Sequence, residues 1–262
     1  MMSAPRILGA ERTGPYVLIC DHASNDVPAE LHNLGLPEAE LARHIGWDIG
    51  AAGVAEALSE ILKSPAIFSA VSRLVIDCNR HLDALDLIPE ISDGTIIPGN
   101  LHMSATDRSQ RVERYFVPYH DAVESVLVER EARGVPSILI SVHSMTESLA
   151  GIHRPWQIAL SSYLDRSLAD PVLVALRHID GIAVGDNQPY DLDPTMDYST
   201  PFHALRRGVP HLQVEFRQDE IADPASQRQW AAHLATALQN AKTVPRLRID
   251  TGSQVRYSPN IL

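Results

Sequence analysis

Several side chains able to do chemistry follow apolar runs in this chain. Asp21-His22-Ala23-Ser24-Asn25 follows the run YVLIC at Tyr16–Cys20, and Asn79-Arg80-His81 follows LVIDC at Leu74–Cys78. His143-Ser144-Met145-Thr146-Glu147 follows SILISV at Ser137–Val142, and Glu215 stands near the end of HLQVEF, with Arg217 just beyond. If the runs are strands of an α/β sheet, these groups collect at the carboxyl ends of strands, where such sheets place their sites. Two histidines, a carboxylate and arginines would then share one edge. Catalytic zinc is commonly held by two histidines and a carboxylate, with one position open for water.

His22 and His143 are the expected metal ligands, because each ends an apolar run where burial alone would favour Leu or Val. Asp48, in Gly46-Trp47-Asp48-Ile49-Gly50, is the candidate third ligand, since the flanking glycines permit close backbone approach. His44, one helical turn earlier, is expected to orient Asp48 or to replace it as ligand, and Glu147 is a further alternative. Glu215 interrupts an apolar strand end, where a carboxylate is costly unless paired or functional. Beside an activated water it would take a proton and pass it to a leaving nitrogen; the bland alternative is an ion pair with Arg217 or a helix arginine. Arg80 is the better-placed arginine to fork a substrate carboxylate, with Asn79 beside it. Arg73, Ser144 and Asn187 complete the expected substrate-binding set, Asn187 in the turn-rich loop GDNQPY.

The elements that must position these residues alternate between β-branched runs and helical patterns. A helix is expected over Glu38–Lys63, with Leu41, Ile45, Ile49, Ala52, Ala55, Leu58 and Leu62 on one stripe. Strands are expected at 66–70, 74–78, 137–142, 157–161, 181–185 and 211–216, besides Tyr16–Cys20. A second long helix should run over Asp107–Arg133 from a Thr106 cap, kinked at Pro118. Ser199-Thr200-Pro201 opens a short helix that Gly208 closes, and the last helix covers Pro224–Ala241. The 81–106 segment is too long for a simple connection and reads as a binding wall. The sum is a single α/β domain over 1–262, with a mostly parallel mixed sheet, helices on both faces, a core from about 16 to 243 and a tail at 244–262.

Composition sets the outer limits. The 262 residues carry 22 Lys and Arg against 33 Asp and Glu, a net charge of −11. That balance argues against non-specific nucleic-acid binding, which needs cations to displace phosphate counterions. A small anionic substrate remains compatible, because a local pair of arginines can outweigh a diffuse field. Cys20 and Cys78 form no disulfide framework and read as buried reduced thiols. No run is long enough to span a membrane, and no basic-then-apolar segment opens the chain, so a cytoplasmic protein is expected. Phosphate-loop, dinucleotide-loop, serine-elbow and HExxH signatures are absent. Twelve histidines against four Phe is the unusual count.

Several segments together resemble the N-formylglutamate amidohydrolase (deformylase) family: CDHASNDVP from Cys20, HIGWDIGA from His44, SRLVIDCNR from Ser72 and VPYHDAV from Val117. SVHSMTE from Ser141, VGDNQPY from Val184 and VPHLQVEFRQDEI from Val209 complete the set, which spans residue 16 to about 240. The resemblance implies a phosphorylase/hydrolase-like fold related to zinc carboxypeptidases. It also implies Zn²⁺-dependent hydrolysis of N-formyl-L-glutamate to formate and L-glutamate, a step of histidine breakdown. His22 and His143 match its metal histidines, Glu215 its catalytic glutamate, and Asn79-Arg80 a pair that holds a substrate carboxylate. The partner expected is therefore a small acidic N-acyl amino acid. The rival readings are a zinc amidase or peptidase of the same fold acting on another N-acyl amino acid or peptide amide, and a non-catalytic binding protein on this scaffold.

Overall fold

Tyr16–Cys20 is buried at every position, as a strand covered on both faces must be, and the sheet grows outward from it. In this computed structural model, which describes residues 4–241, the chain begins with β1 (Arg6–Leu8), β2 (Tyr16–Cys20), α1 (Glu38–Leu41), α2 (Ala51–Leu62) and β3 (Ala66–Phe68). There follow β4 (Ile91–Ser92), β5 (Thr95–Ile96), α3 (Ala105–Arg111), α4 (Val117–Ala132), β6 (Ile138–Met145), β7 (Ser148–Leu149) and β8 (Ile152–His153). Last come β9 (Ile158–Ser161), α5 (Ala169–Arg177), β10 (Val184–Asp186), α6 (Ser199–His203), β11 (His211–Arg217) and α7 (Pro224–Ala241). The expected tail at 244–262, and the final residues of the expected core, lie outside the described residues.

Seven strands form one sheet in the order β1-β3-β2-β6-β11-β9-β10. The four central strands, β3, β2, β6 and β11, are mutually parallel, while β1 and the β9–β10 pair run against them. The sheet is mixed and mostly parallel, as expected. Alternation along the strands divides the core. Leu18, Ile140, Val142, Leu212 and Val214 pack against Val54 and Leu58 of α2, Val172 and Leu176 of α5, and Leu234 and Leu238 of α7. Val17, Ile19, Ile67 and Leu139 face the other way, onto Tyr119, Val123 and Leu127 of α4. Each such fully buried aliphatic side chain contributes about 1.5–3 kcal/mol.

Several sequence expectations change. The helix expected over Glu38–Lys63 is two helices, α1 and α2, separated by turns around Gly46 and Gly50. Leu74–Cys78 is no strand: Leu74, Val75 and Ile76 belong to a separate apolar cluster with Leu34, Leu87, Ile97 and Phe116, formed by loops and helical turns with no strand residue among them. The long helix starts at a Ser104 cap, whose Oγ accepts from the Asp107 N–H at 3.1 Å, rather than at Thr106. The expected disturbance at Pro118 takes the form of a π-helical segment, Val112–Phe116, just before it. Proline lacks an N–H and crowds the preceding turn, and a wider turn relieves both. Within 81–106 the β4–β5 hairpin forms. No helix of the described residues is long and apolar enough to cross a membrane.

Candidate active site

His143 lies inside β6, two residues before its end, and pairs in parallel register with Glu215 of β11. Because Ile140, Val142, Leu212 and Val214 face the α2–α5–α7 side, Ser141, His143, Gln213 and Glu215 face the other. On that face α4 covers the sheet as far as Leu139, and the polar side chains stand beyond the covered part. His22 enters from the turn after β2. Asp48 is brought in by the turn between α1 and α2, where its N–H donates to the His22 carbonyl at 3.0 Å. Gly50 (φ 82°) makes that turn possible, since a Cβ there would sit 2.5 Å from the Ile221 carbonyl oxygen.

The two imidazoles stand with ring centroids 5.1 Å apart. His22 Nδ1 is 3.3 Å and His143 Nδ1 2.9 Å from the same oxygen, Asp48 Oδ2. Their far nitrogens have acidic backing: His22 Nε2 lies 2.7 Å from Asp77 Oδ1, and His143 Nε2 lies 3.3 Å from Asp21 Oδ2 and 2.9 Å from Ser141 Oγ. With protons on both Nε2 atoms, the two Nδ1 lone pairs and a carboxylate oxygen converge on one point. His22, Asp48 and His143 thus offer one donor atom each within 4.8 Å of one another, all buried. This donor set fits a divalent transition metal, and the carboxylates behind the histidines are the usual means of fixing ligand orientation and raising basicity.

The electrostatics follow from crowding. Burial alone would lower the His143 pKa, yet hydrogen bonds to Asp21 and Asp48 and the nearby Glu215 charge raise it well above the usual value. For His22, burial and the Arg73 charge push downward, and Asp77 and Asp48 outweigh them. Asp48 is held low, the histidines prevailing over burial. Glu215 goes the other way, its pKa raised to about 7 by burial, with Asp48 adding to the rise and the histidines opposing it. It is 6% exposed and makes no side-chain hydrogen bond or ion pair among the described residues. The alternative of a pair with Arg217 is overturned: that guanidinium binds Asp219 and Glu220 instead.

A cavity of about 800 Å³ opens over these groups, and the β4–β5 and β7–β8 hairpins both contribute to its lining. Arg73, Asn79, Arg80 and Ser144, four of the residues the sequence singles out for substrate binding, are among those that line it. Their side chains are already engaged to different degrees. Asn79 does not offer its amide to a ligand: Nδ2 donates to Asp197 Oδ1, and Oδ1 accepts from the Tyr198 and Ser199 N–H groups. Ser144 donates to the Ile49 carbonyl at 2.9 Å, and its N–H binds Asp48. Asn187 is not brought to the cavity; its amide is satisfied by the backbone of Ser162. His44 lines the cavity but is not on a helix with Asp48; it lies 3.4 Å from Asp93. Glu147 is exposed and joins neither the donor set nor the lining. Sequence reading missed Asp21, Asp77 and Arg154, and reached Tyr190 only as part of the turn-rich loop GDNQPY, the end of which does line the cavity. The two aspartates stand beside residues it did select, while Arg154 and Tyr190 sit in loops with no periodic signal.

The N-formylglutamate amidohydrolase family matches residues 14–222 of the chain. Among solved structures, gene product Atu2144 from Agrobacterium tumefaciens is 32% identical, with a TM-score of 0.88 over 91% of this chain and 94% of that one. The N-formylglutamate amidohydrolase from Ralstonia eutropha JMP134 shares the fold at 19% identity, with a TM-score of 0.68 over 92% of this chain and 98% of that one. No curated protein matches the chain.

Proposed function

From membership of the N-formylglutamate amidohydrolase family, a family of hydrolases acting on linear amides, we propose that this chain hydrolyses N-formyl-L-glutamate to formate and L-glutamate at the His22–Asp48–His143 site. The observation that carries the reading is the convergence of both Nδ1 atoms on one Asp48 oxygen, with an unpaired, buried Glu215 opposite His143 in register. His22, Asp48 and His143 would hold the metal, which we take to be Zn²⁺. When bound, it supplies Lewis-acid polarisation of the acyl carbonyl and of the attacking water.

The chain's own residues do the rest. Glu215 carries no competing partner, so its carboxylate is free to accept the proton from water and return it to the leaving nitrogen; a pKa raised to about 7 suits both directions near neutral pH. Asp77 and Asp21 hold the imidazole rings and keep their protons on Nε2. Arg73, fixed by Asp77 at 2.7 Å, is the cation beside the donor set placed to stabilise charge developing on the acyl oxygen. The test is glutamate release from N-formyl-L-glutamate together with metal content. Glu215→Gln should lower kcat by about 10²–10⁴-fold at unchanged metal stoichiometry. Zinc-loaded protein that releases no glutamate would sink the reading. A second reading, the same chemistry on another N-acyl amino acid, is favoured by the many aspartates of the cavity wall, among them Asp86, Asp93 and Asp191.

A further inference from the structure

The three arginines that line the cavity differ in what already neutralises them. Arg73 binds Asp77 at 2.7 Å and lies 3.5 Å from Asp48. Arg80 binds Asp86 at 2.8 Å and lies 3.8 Å from Asp197. Arg154 forms no ion pair among the described residues, although it is only 6% exposed. Its Nη1 reaches the Thr146 Oγ1 at 3.2 Å and the Thr146 carbonyl at 3.5 Å, and its Nη2 donates to the Tyr190 hydroxyl at 2.6 Å. Those partners are neutral, and the guanidinium also lies over the Tyr190 ring, 5.0 Å from its centroid. A buried guanidinium that lacks a counter-charge and still has unused N–H groups is costly, unless something anionic enters the cavity beside it.

Tyr190 adds a second donor. Its hydroxyl accepts from Arg154, while its own O–H has no acceptor among the described residues. The geometry points to Arg154, backed by Tyr190, as the group that receives a carboxylate of the substrate, in place of the Asn79-Arg80 pair. A guanidinium matches the planar carboxylate with two parallel hydrogen bonds. The remaining charge of the wall is mostly acidic, at Asp86, Asp93, Asp191, Asp193 and Asp197, which repels an anion placed elsewhere. The cavity therefore offers one favourable position for an anionic end, and that position orients the scissile amide. This inference rests on the reading of the cavity as a site of N-acyl amino acid hydrolysis.

The experiment compares N-formyl-L-glutamate with its α-carboxamide and its side-chain carboxamide, in wild type, Arg154→Met, Arg154→Lys, Tyr190→Phe and Arg80→Gln. Wild type should prefer the diacid over one of the amides, and the amide that is rejected identifies the carboxylate that Arg154 receives. Arg154→Met should lower kcat/KM for the diacid roughly 10- to 100-fold, mainly through KM, and leave that for the rejected amide within about threefold. Arg154→Lys should recover part of the preference, and Tyr190→Phe should raise KM for the diacid a few-fold. Arg80→Gln should keep the acid-to-amide ratio. Retention of the wild-type ratio in both Arg154 variants overturns the inference, as does its loss in Arg80→Gln alone. Failure of wild type to cleave any N-formyl amino acid would count against the proposed function, and the carboxylate site is then read separately by calorimetry with glutarate. Binding to wild type that Arg154→Met and Tyr190→Phe weaken supports it. Equal binding to all three, or none to wild type, overturns it. Tyr190 is 42% exposed, so its variant keeps the test usable if a substitution at Arg154 prevents folding.

Discussion

The chain buries two histidine pairs of nearly equal spacing, His22–His143 with centroids 5.1 Å apart and His120–His203 at 5.2 Å. Their surroundings could hardly differ more. The first pair meets Asp48, Asp77 and Asp21 and faces the cavity. The second is enclosed by Phe116, Tyr198 and Phe202, with His120 Nδ1 2.9 Å from His203 Nε2 and His120 Nε2 3.0 Å from the Cys78 carbonyl. In the first pair carboxylates overcome burial and raise the imidazole pKa values. In the second burial wins, and the pKa of His120 falls to about 4. Proximity of imidazoles is thus no sign of chemistry by itself. The second pair has a carboxylate near it too, Glu124 at 3.6 Å from His203 Nδ1, but Arg207 already binds it. The charge left unneutralised behind the rings decides whether a pair is poised for a cation or packed as a neutral group.

The comparison breaks first at Asp48, whose Oδ2 both cavity-side rings share. Asp48→Asn should cost about 10³-fold or more in kcat/KM for N-formyl-L-glutamate and should lower the bound metal per chain. His120→Phe, in contrast, should change kcat/KM by no more than about threefold. Comparable losses in the two variants would mean that the second pair also takes part in the reaction, and that the distinction drawn from the carboxylates is wrong.

Acid stability sharpens the same contrast, because the two pairs act with opposite sign. The raised pKa values of His22 and His143 give stability that is full below the unfolded value of about 6.5 and fades as pH rises through the folded values. His120 is depressed by burial to about 4, so in the window between about 6.5 and 4 the unfolded chain binds the extra proton. Stability is then lost as pH falls, by about 3 kcal/mol across the window. Urea unfolding of EDTA-treated protein at pH 7 and pH 5 measures it. His120→Phe, which cannot take up that proton, should show a visibly shallower acid limb than wild type. Equal slopes would place the acid sensitivity elsewhere.

Much of this contrast was legible from sequence, and the reasons for the gaps are physical. YVLIC, SILISV and HLQVEF are buried on both faces, so their apolar runs declare strands, and His22, His143 and Glu215 stand out at or near their ends. Asp48 stands out because Gly46 and Gly50 permit close backbone approach, although the sequence places it on a helix where the fold has turns. LVIDC is a similar apolar run, yet Leu74, Val75 and Ile76 pack into a cluster that contains no strand residue. An apolar run reports burial and says nothing of which layer does the burying. The His44 assignment failed through the same helix–turn ambiguity, since turns replace the helix that would have set it one turn from Asp48. Arg154 was invisible because its significance lies in an absence, the missing counter-charge, which exists only once the loops are folded against each other.

The smallest effect tests the cause most directly, because the groups behind His22 and His120 are neighbours in sequence. His22 Nε2 is backed by the Asp77 carboxylate at 2.7 Å, and His120 Nε2 by the neutral carbonyl of Cys78 at 3.0 Å. Asp77→Asn keeps an oxygen of similar size behind His22 and removes its charge, which makes the first pair resemble the second in this one respect. If the carboxylate raises the basicity of the ring and fixes its orientation, metal affinity should fall about 10- to 100-fold, and kcat/KM at limiting zinc should fall with it. Excess zinc should then restore part of the activity, which loss of a direct ligand would not allow. Arg73 also loses its 2.7 Å partner in this variant, so a kcat deficit that persists at saturating zinc measures the arginine's share. Unchanged zinc affinity in a folded Asp77→Asn protein would show that position alone, without the charge behind it, sets the first pair apart from the second.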